Sequence, residues 1–266
     1  MSIRKSVVSG EFYPSDTKEI EEMFAHYNSI LDEQLKDKSL LLKKPRAIIV
    51  PHAGYVYSAF TANIAFRLFK NTHAKRVVVI GPSHQIYLKG TSVSDYEKYE
   101  TPFGDLQIDG SLVDELKAEF KLQFVEDAHL EHSTEVQMPF IKTYDKEALV
   151  VELVYGDENP ENLAKIINYL LEDGDTFVII STDLSHYYDI NKAKNLDNIC
   201  LDAIQNLDIE KLHQGCEACG KIGVEAMLIV AKKRGFKPIL LDYRTSADAS
   251  GDDSRVVGYL SVAFIE

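Results

Sequence analysis

Continuous apolar runs alternate along this chain with stretches of helical periodicity. After a Pro14-Ser15-Asp16 turn, Ile20, Met23, Phe24, Tyr27, Ile30 and Leu31 recur at helical spacing, and Asp16 with Glu19 has the form of a capping box. A long amphipathic helix is predicted. The charged segment 32–44 then leads into residues 46–50, an apolar run of the kind a strand buried on both faces requires. The same grammar repeats as a helical stretch over 58–70 and an apolar strand over 76–80 stopped by Gly81-Pro82, which makes a β-α-β unit. Segment 91–109, with turn residues at 101–105, reads as short antiparallel strands outside the main sheet. Helical patterns over 111–120 and 134–144 precede a strand at 148–155, and one over 160–171 precedes a strand at 176–181. Helices over 191–204 and 223–234 come before final strands at 238–243 and 255–264.

Strands alternating with helices and short loops predict an α/β fold: one three-layer α/β/α domain over residues 1–266. Its sheet is expected to be mostly parallel, with one antiparallel element. Composition agrees, at 45% hydrophobic and 27% charged residues. A chain this long buries about three quarters of its unfolded surface and needs no disulfide or structural zinc to fold. With 29 basic and 42 acidic residues the net charge is −13, the wrong sign for nucleic acid or for an acidic membrane surface. No run approaches the roughly 20 apolar residues of a membrane span, and the N-terminal stretch lacks a signal-peptide core, so the expectation is a cytoplasmic protein. Cys200, Cys216 and Cys219 are too few for a secreted disulfide framework and are expected as reduced thiols.

In an open α/β sheet, functional groups gather beyond the carboxyl ends of the strands. Here the strand exits are polar and alike: Pro51-His52-Ala53-Gly54-Tyr55, Gly81-Pro82-Ser83-His84, and Ser181-Thr182-Asp183-Leu184-Ser185-His186. If those strands are neighbours, His52, His84 and His186 share one cleft. Two histidines with a carboxylate or thiolate suit a redox iron or a hydrolytic zinc. A single such histidine more often caps its loop; three together favour a site. Asp183 lies three residues before His186, placed to orient its imidazole, bind metal, or cap a helix.

Other candidates are weaker. The segment 127–135 is dense in ligand types without forming HExxH; Glu131 and His132 suit either hydrogen-bonded support behind a metal ligand or a substrate-binding edge, while Glu135 fits a helix-dipole role. Cys216-Glu217-Ala218-Cys219 is a lone CxxC, which excludes four-cysteine zinc and leaves a reactive thiol at a helix start as a secondary reading. Tyr55, Tyr57, Tyr187 and Tyr188 flank the histidine loops and either line a pocket or pack its rim. No GxSxG, GxxxxGK[ST] or strand-linked GxGxxG is present, so serine hydrolases, P-loop enzymes and Rossmann oxidoreductases fall back.

Four segments in order, Val50-Pro-His-Ala-Gly-Tyr55, Gly81-Pro-Ser-His84, the run from Glu131 to Phe140, and Ser181-Thr-Asp-Leu-Ser-His186, together resemble the Memo family along nearly the whole chain. That family is similar in fold to class III extradiol dioxygenases, non-haem iron enzymes. The resemblance implies His52 and His84 as metal ligands and His186, with Asp183, as the catalytic acid/base pair. The third ligand of eukaryotic members, a cysteine, falls on Ala249 here, and Asp248 or Asp252 is the expected substitute. Fe(II) is the implied cofactor, with copper or zinc as alternatives, and Tyr55, Glu131 and His132 are expected to face the substrate. The resemblance also implies radical-SAM and AMMECR-type partner proteins. A eukaryotic member binds phosphotyrosine peptides, so a non-enzymatic cleft that receives a peptide stands beside the enzymatic readings.

Overall fold

Asp16 starts the first helix as its sequence predicts, its carboxylate accepting from the backbone N–H groups of Lys18 and Glu19. The computed structural model describes residues 2–35 and 37–266; Met1, in the N-terminal stretch, and Lys36, in the charged segment, lie outside them. The first half of the chain runs β1 (Ile3–Arg4), α1 (Thr17–Gln34), β2 (Ala47–Val50), α2 (Tyr55–Phe69), β3 (Arg76–Pro82), β4 (Thr91–Val93), β5 (Lys98–Tyr99), β6 (Leu106–Gln107) and α3 (Gly110–Phe120). There follow α4 (His132–Glu135), α5 (Met138–Tyr144), β7 (Leu149–Tyr155), α6 (Pro160–Leu170), β8 (Thr176–Ser181), β9 (His186–Tyr188) and α7 (Ile190–Asn206). The chain ends with α8 (Ile209–Leu212), α9 (Lys221–Arg234), β10 (Lys237–Thr245), α10 (Ala247–Ser250) and β11 (Val256–Ile265).

The main sheet has the order β10-β11-β2-β8-β3-β7-β4, with β9 paired to β11. Its centre is parallel, through the ladders β2–β8, β8–β3 and β3–β7. Its flanks are antiparallel: β10–β11, β11–β2, β9–β11 and β4–β7. The expected single antiparallel element is therefore corrected to a mixed sheet. The link from β10 to β11 holds only the short helix α10, too little chain for a parallel crossover. Segment 91–109 is likewise only partly outside the main sheet: β4 closes its edge, while β5 and β6 join β1 in a small second sheet.

Side-chain alternation along the strands separates the helices into layers. Phe177 of β8 meets Phe69 of α2, whereas Ile180, three positions on, lies against Gly223 of α9. On β10, Asp242 and Arg244 reach Thr61 and Phe60 of α2, and the intervening Tyr243 donates to Asp197 of α7. Hence α2 covers one face and α7 and α9 the other. Strand residues between them, such as Ile48, Val78 and Ile179, are fully buried, each worth about 1.5–3 kcal/mol of burial. The predicted helix over 134–144 is broken into α4 and α5, with Pro139 in the first turn of α5, where its missing N–H costs nothing.

Candidate metal centre

Because β2, β8 and β3 are adjacent and parallel, the loops that leave their carboxyl ends are adjacent too. His52 follows β2, His84 follows β3, and Asp183 follows β8. A fourth segment crosses them. Gly81 has no room for a Cβ, which would meet Ser133 Oγ at 2.6 Å, so the α4 segment lies directly on the exit of β3. That close approach, together with the bond Ser133 Oγ donates to Pro82 O, brings Glu131 and His132 to the histidines.

His52, His84 and His132 form a group whose ligand atoms all lie within 4.8 Å of one another, and it is the one such group among the described residues. Ring centroids are 4.7–5.4 Å apart. Their hydrogen bonds fix which nitrogen is free. Ser181 gives its only proton to Ser133 O, so its oxygen has only lone pairs left for the Nδ1–H of His52 at 3.0 Å and for Nε2 of Gln137. One oxygen of Glu131 accepts from Nδ1 of both His84 and His132. Each ring thus commits Nδ1 to an oxygen and leaves Nε2 as the nitrogen for a metal, the orientation a metal-binding imidazole needs.

Electrostatics sets His52 and His84 apart. Burial and the neighbouring imidazoles hold His52 well below the usual histidine range, so it is neutral. Burial opposes charging of His84 as well, but hydrogen bonds with Cys219 and Glu131 outweigh it and raise His84 to about 10. The Glu131 carboxyl is pushed up by burial and pulled further down by its two histidines, and ends well below the usual carboxylate range. Asp183, buried and accepting from the His52 backbone N–H at 2.7 Å, is lifted by burial to about 6. It is not a helix cap. His186 donates from Nδ1 to Leu184 O at 2.8 Å, which commits that nitrogen and leaves Nε2 outside the bond, and it lies near enough to act electrostatically on both His52 and Asp183.

The remaining expectations are placed elsewhere. Asp248 does not join the three histidines. Its carboxylate accepts from the Thr245 backbone and hydroxyl, and with Ala249 it lines a cleft beside Phe60 and Arg244. Tyr55 is core: it is 2% exposed, packs with tilted rings against Tyr13 and Phe140, and donates to Val136 O. Glu131 takes the supporting place, accepting from two imidazoles, and His132 belongs to the cluster itself. Glu135, expected at a helix dipole, pairs with buried Arg4 and accepts from Val7, Val8 and Tyr13. Cys200 and Cys216 form a disulfide, contrary to the expected reduced thiols; they are held together where α7 meets the loop before α9. Cys219 is free, and its Sγ stands 3.2 Å from Nε2 of His52. Nothing in the linear sequence pairs Cys219 with His52, 167 residues away.

The family model for Memo-like proteins matches residues 4–263. A MEMO1 family protein of Aquifex aeolicus is 32% identical over 279 residues, covering all of both chains. Another from Sulfolobus acidocaldarius is 37% identical and covers 98% of this chain and 99% of its own. Among solved structures, an uncharacterized protein from Escherichia coli K12 superimposes with a TM-score of 0.54 at 15% identity, covering 84% of this chain and 100% of that one. That likeness concerns the fold alone.

Proposed function

The chain belongs to the Memo family, and from that premise we propose that His52, His84 and His132 hold a transition-metal ion at which a small molecule is transformed. One observation carries the reading: three imidazoles from separate segments each spend Nδ1 on an oxygen and bring ligand atoms within 4.8 Å of one another. An all-imidazole donor set fits iron, copper or zinc and does not fit the hard, oxygen-seeking magnesium or calcium. Fe(II) stands first because the resemblance to extradiol dioxygenases implies it. When bound, such an ion supplies Lewis acidity and, if iron, one-electron chemistry.

The protein's own groups do the rest. Glu131 holds two rings in orientation and compensates positive charge; Ser181 and Gln137 hold the third. Asp183 fixes the loop of His52 through its backbone. His186, its Nε2 free, takes a proton from a substrate hydroxyl and returns it later, a role worth about 10²–10⁴ in rate. No described helix is long and apolar enough to cross a membrane. Partners of the radical-SAM and AMMECR type belong to this reading by family alone.

Anaerobic protein is expected to bind about one equivalent of iron, and a His52→Ala/His84→Ala variant to lose it. Full retention of iron by that variant would reject the centre. Iron-loaded protein with catechols and related phenols is expected to consume dioxygen, and His186→Asn to slow uptake while iron content holds. If the zinc form hydrolyses substrate and the iron form leaves dioxygen untouched, the hydrolytic reading replaces the oxidative one.

A further inference from the structure

Resting on the reading of His186 as proton carrier, we propose that Asp197 is its positioning residue: a buried carboxylate on α7 that fixes the Leu184-Ser185-His186 segment and sets a negative charge behind the ring.

Along α7, Ala193, Asp197, Cys200, Leu201 and Ile204 recur at helical spacing and are all buried, so a carboxylate stands where the stripe calls for an apolar side chain. Burying a charge is costly unless it is answered, most often by a cation. Among the described residues none stands at ion-pair distance from Asp197. Its Oδ1 instead accepts the Ser185 backbone N–H at 2.9 Å, and its Oδ2 accepts the Tyr243 hydroxyl at 2.7 Å. Burial raises the carboxyl above the usual aspartate range, and these hydrogen bonds and the nearby His186 ring pull against that rise.

The two bonds complete a bracket around the segment. Leu184 N donates to Gly258 O at 2.8 Å, and Gly258 N donates to Ser185 O at 3.0 Å. A Cβ at position 258 would fall 2.1 Å from Asp197 Oδ2, so glycine is what lets the carboxylate lie against β11. Ser185 is therefore held at both its N–H and its C=O, one residue before His186, whose Nδ1 bonds back to Leu184 O at 2.8 Å. The ring inherits its orientation from a backbone that Asp197 and Gly258 clamp from two sides. When Nε2 takes the proton of a substrate hydroxyl, the O–H bond breaks, an N–H bond forms and the ring becomes positive. The charges of Asp197 and Asp183 favour that form, and Asp197 keeps its own protonation state throughout.

Protein isotope-labelled on the histidine ring nitrogens, with zinc added, provides the test. The readout is the Nδ1–H resonance of His186, recognised by its absence in His186→Asn. Wild type is expected to show it, Asp197→Ala to lose it, and Asp197→Asn, which keeps an acceptor for the Ser185 N–H, to retain it. The Nδ1–H of His129, buried against Glu152 at 2.7 Å, is expected to persist throughout and separates local loosening from a damaged fold. A His186 resonance missing from wild type, or as strong in Asp197→Ala as in wild type, would overturn the proposal. With iron bound and catechol as substrate, Asp197→Ala is expected to lower kcat at least about tenfold, and Asp197→Asn less, while KM and iron content hold within about twofold. An unchanged kcat would likewise overturn it. Wild type that consumes no dioxygen would sink the oxidative reading and leave the resonance to decide this one. Should Asp197→Ala lose the His129 resonance as well, amide exchange in wild type decides: the Ser185 N–H is expected to exchange at least about a hundredfold more slowly than in an unfolded chain, and a free-chain rate would refute the assignment.

Discussion

A single oxygen of Glu131 accepts hydrogen bonds from Nδ1 of His84 at 3.1 Å and from Nδ1 of His132 at 2.8 Å. One fully buried carboxylate therefore sets the orientation of two rings that arrive from different elements. Its second oxygen accepts the backbone N–H groups of His84 and Gln85, so the loop after β3 is tied to the same group.

Replacing Glu131 with Gln keeps the volume and removes the charge. An amide has one acceptor oxygen where the carboxylate serves five donors, so some of these N–H groups lose their partner. Metal affinity is expected to fall about 10–100-fold, read by competition with a chromophoric chelator. Unchanged affinity would show that the rings orient themselves.

Behind the centre, Arg4 and Glu135 form an ion pair with both side chains fully buried. Arg4 also donates to the carbonyls of His129 and Glu131, so the small second sheet grips the segment that carries His132. Arg4→Met leaves the Glu135 charge buried with its strongest partner gone, and stability is expected to drop by about 3–5 kcal/mol in denaturant unfolding. An Arg4→Met protein as stable as wild type would mean that the backbone donors of Val7 and Val8 suffice.

The Glu131–His84 pair predicts how the metal-free protein responds to pH. His84 is raised in the fold from 6.5 to about 10, so its contribution is complete below 6.5 and is lost as pH climbs toward 10. Glu131 is lowered from 4.5, so its contribution is present above 4.5 and lost as pH falls through its folded value. Both act together between 4.5 and 6.5. In the presence of chelator, the melting difference between wild type and Glu131→Gln is expected to be widest in that window and to shrink steadily toward pH 10. A difference that stays flat across this range would show that the pair does not titrate as described.

Much of this was legible in the chain because buried parallel strands are written as unbroken apolar runs, and their exits as polar loops. His52, His84 and Asp183 follow from that grammar once β2, β8 and β3 are neighbours. Other features depend on information no local window carries. The mixed sheet arises from the short connection through α10, whose residues look like any polar loop. Tyr55 directly follows the strand-end turn at Gly54 and so resembles a rim residue, yet the helix it starts turns its ring into Phe140 and Tyr13. Asp248 neighbours the expected ligand position only along the chain, and the loop folds on itself to use that carboxylate at Thr245. Cys219 reaches His52 through the packing of α9 on β8, a long-range contact without a periodic signature.

That packing hinges on Gly220, which offers a test of how rigidly the centre is built. Its φ of −91° is open to any residue, so backbone strain is not the reason for glycine; space is. A methyl group there would press on Thr182 Cβ at 2.7 Å and on the Ser181 carbonyl at 2.8 Å, both part of the strand exit and neither the tip of a flexible side chain. The N-terminus of α9 must retreat, which stretches the bonds from Gly220 N to Thr182 and from Tyr155 to Gly220 O and draws Sγ of Cys219 away from His52. Gly220→Ala is expected to cost about 1–3 kcal/mol in unfolding free energy, the range of core overpacking. It should also make the Cys219 thiol more reactive toward a disulfide reagent in the metal-free protein. Gly110→Ala, where nothing lies within 4 Å of an added Cβ, serves as the control and should leave that reactivity at the wild-type level. Equal thiol reactivity in the Gly220 variant and wild type would show that the turn yields without moving the sulfur.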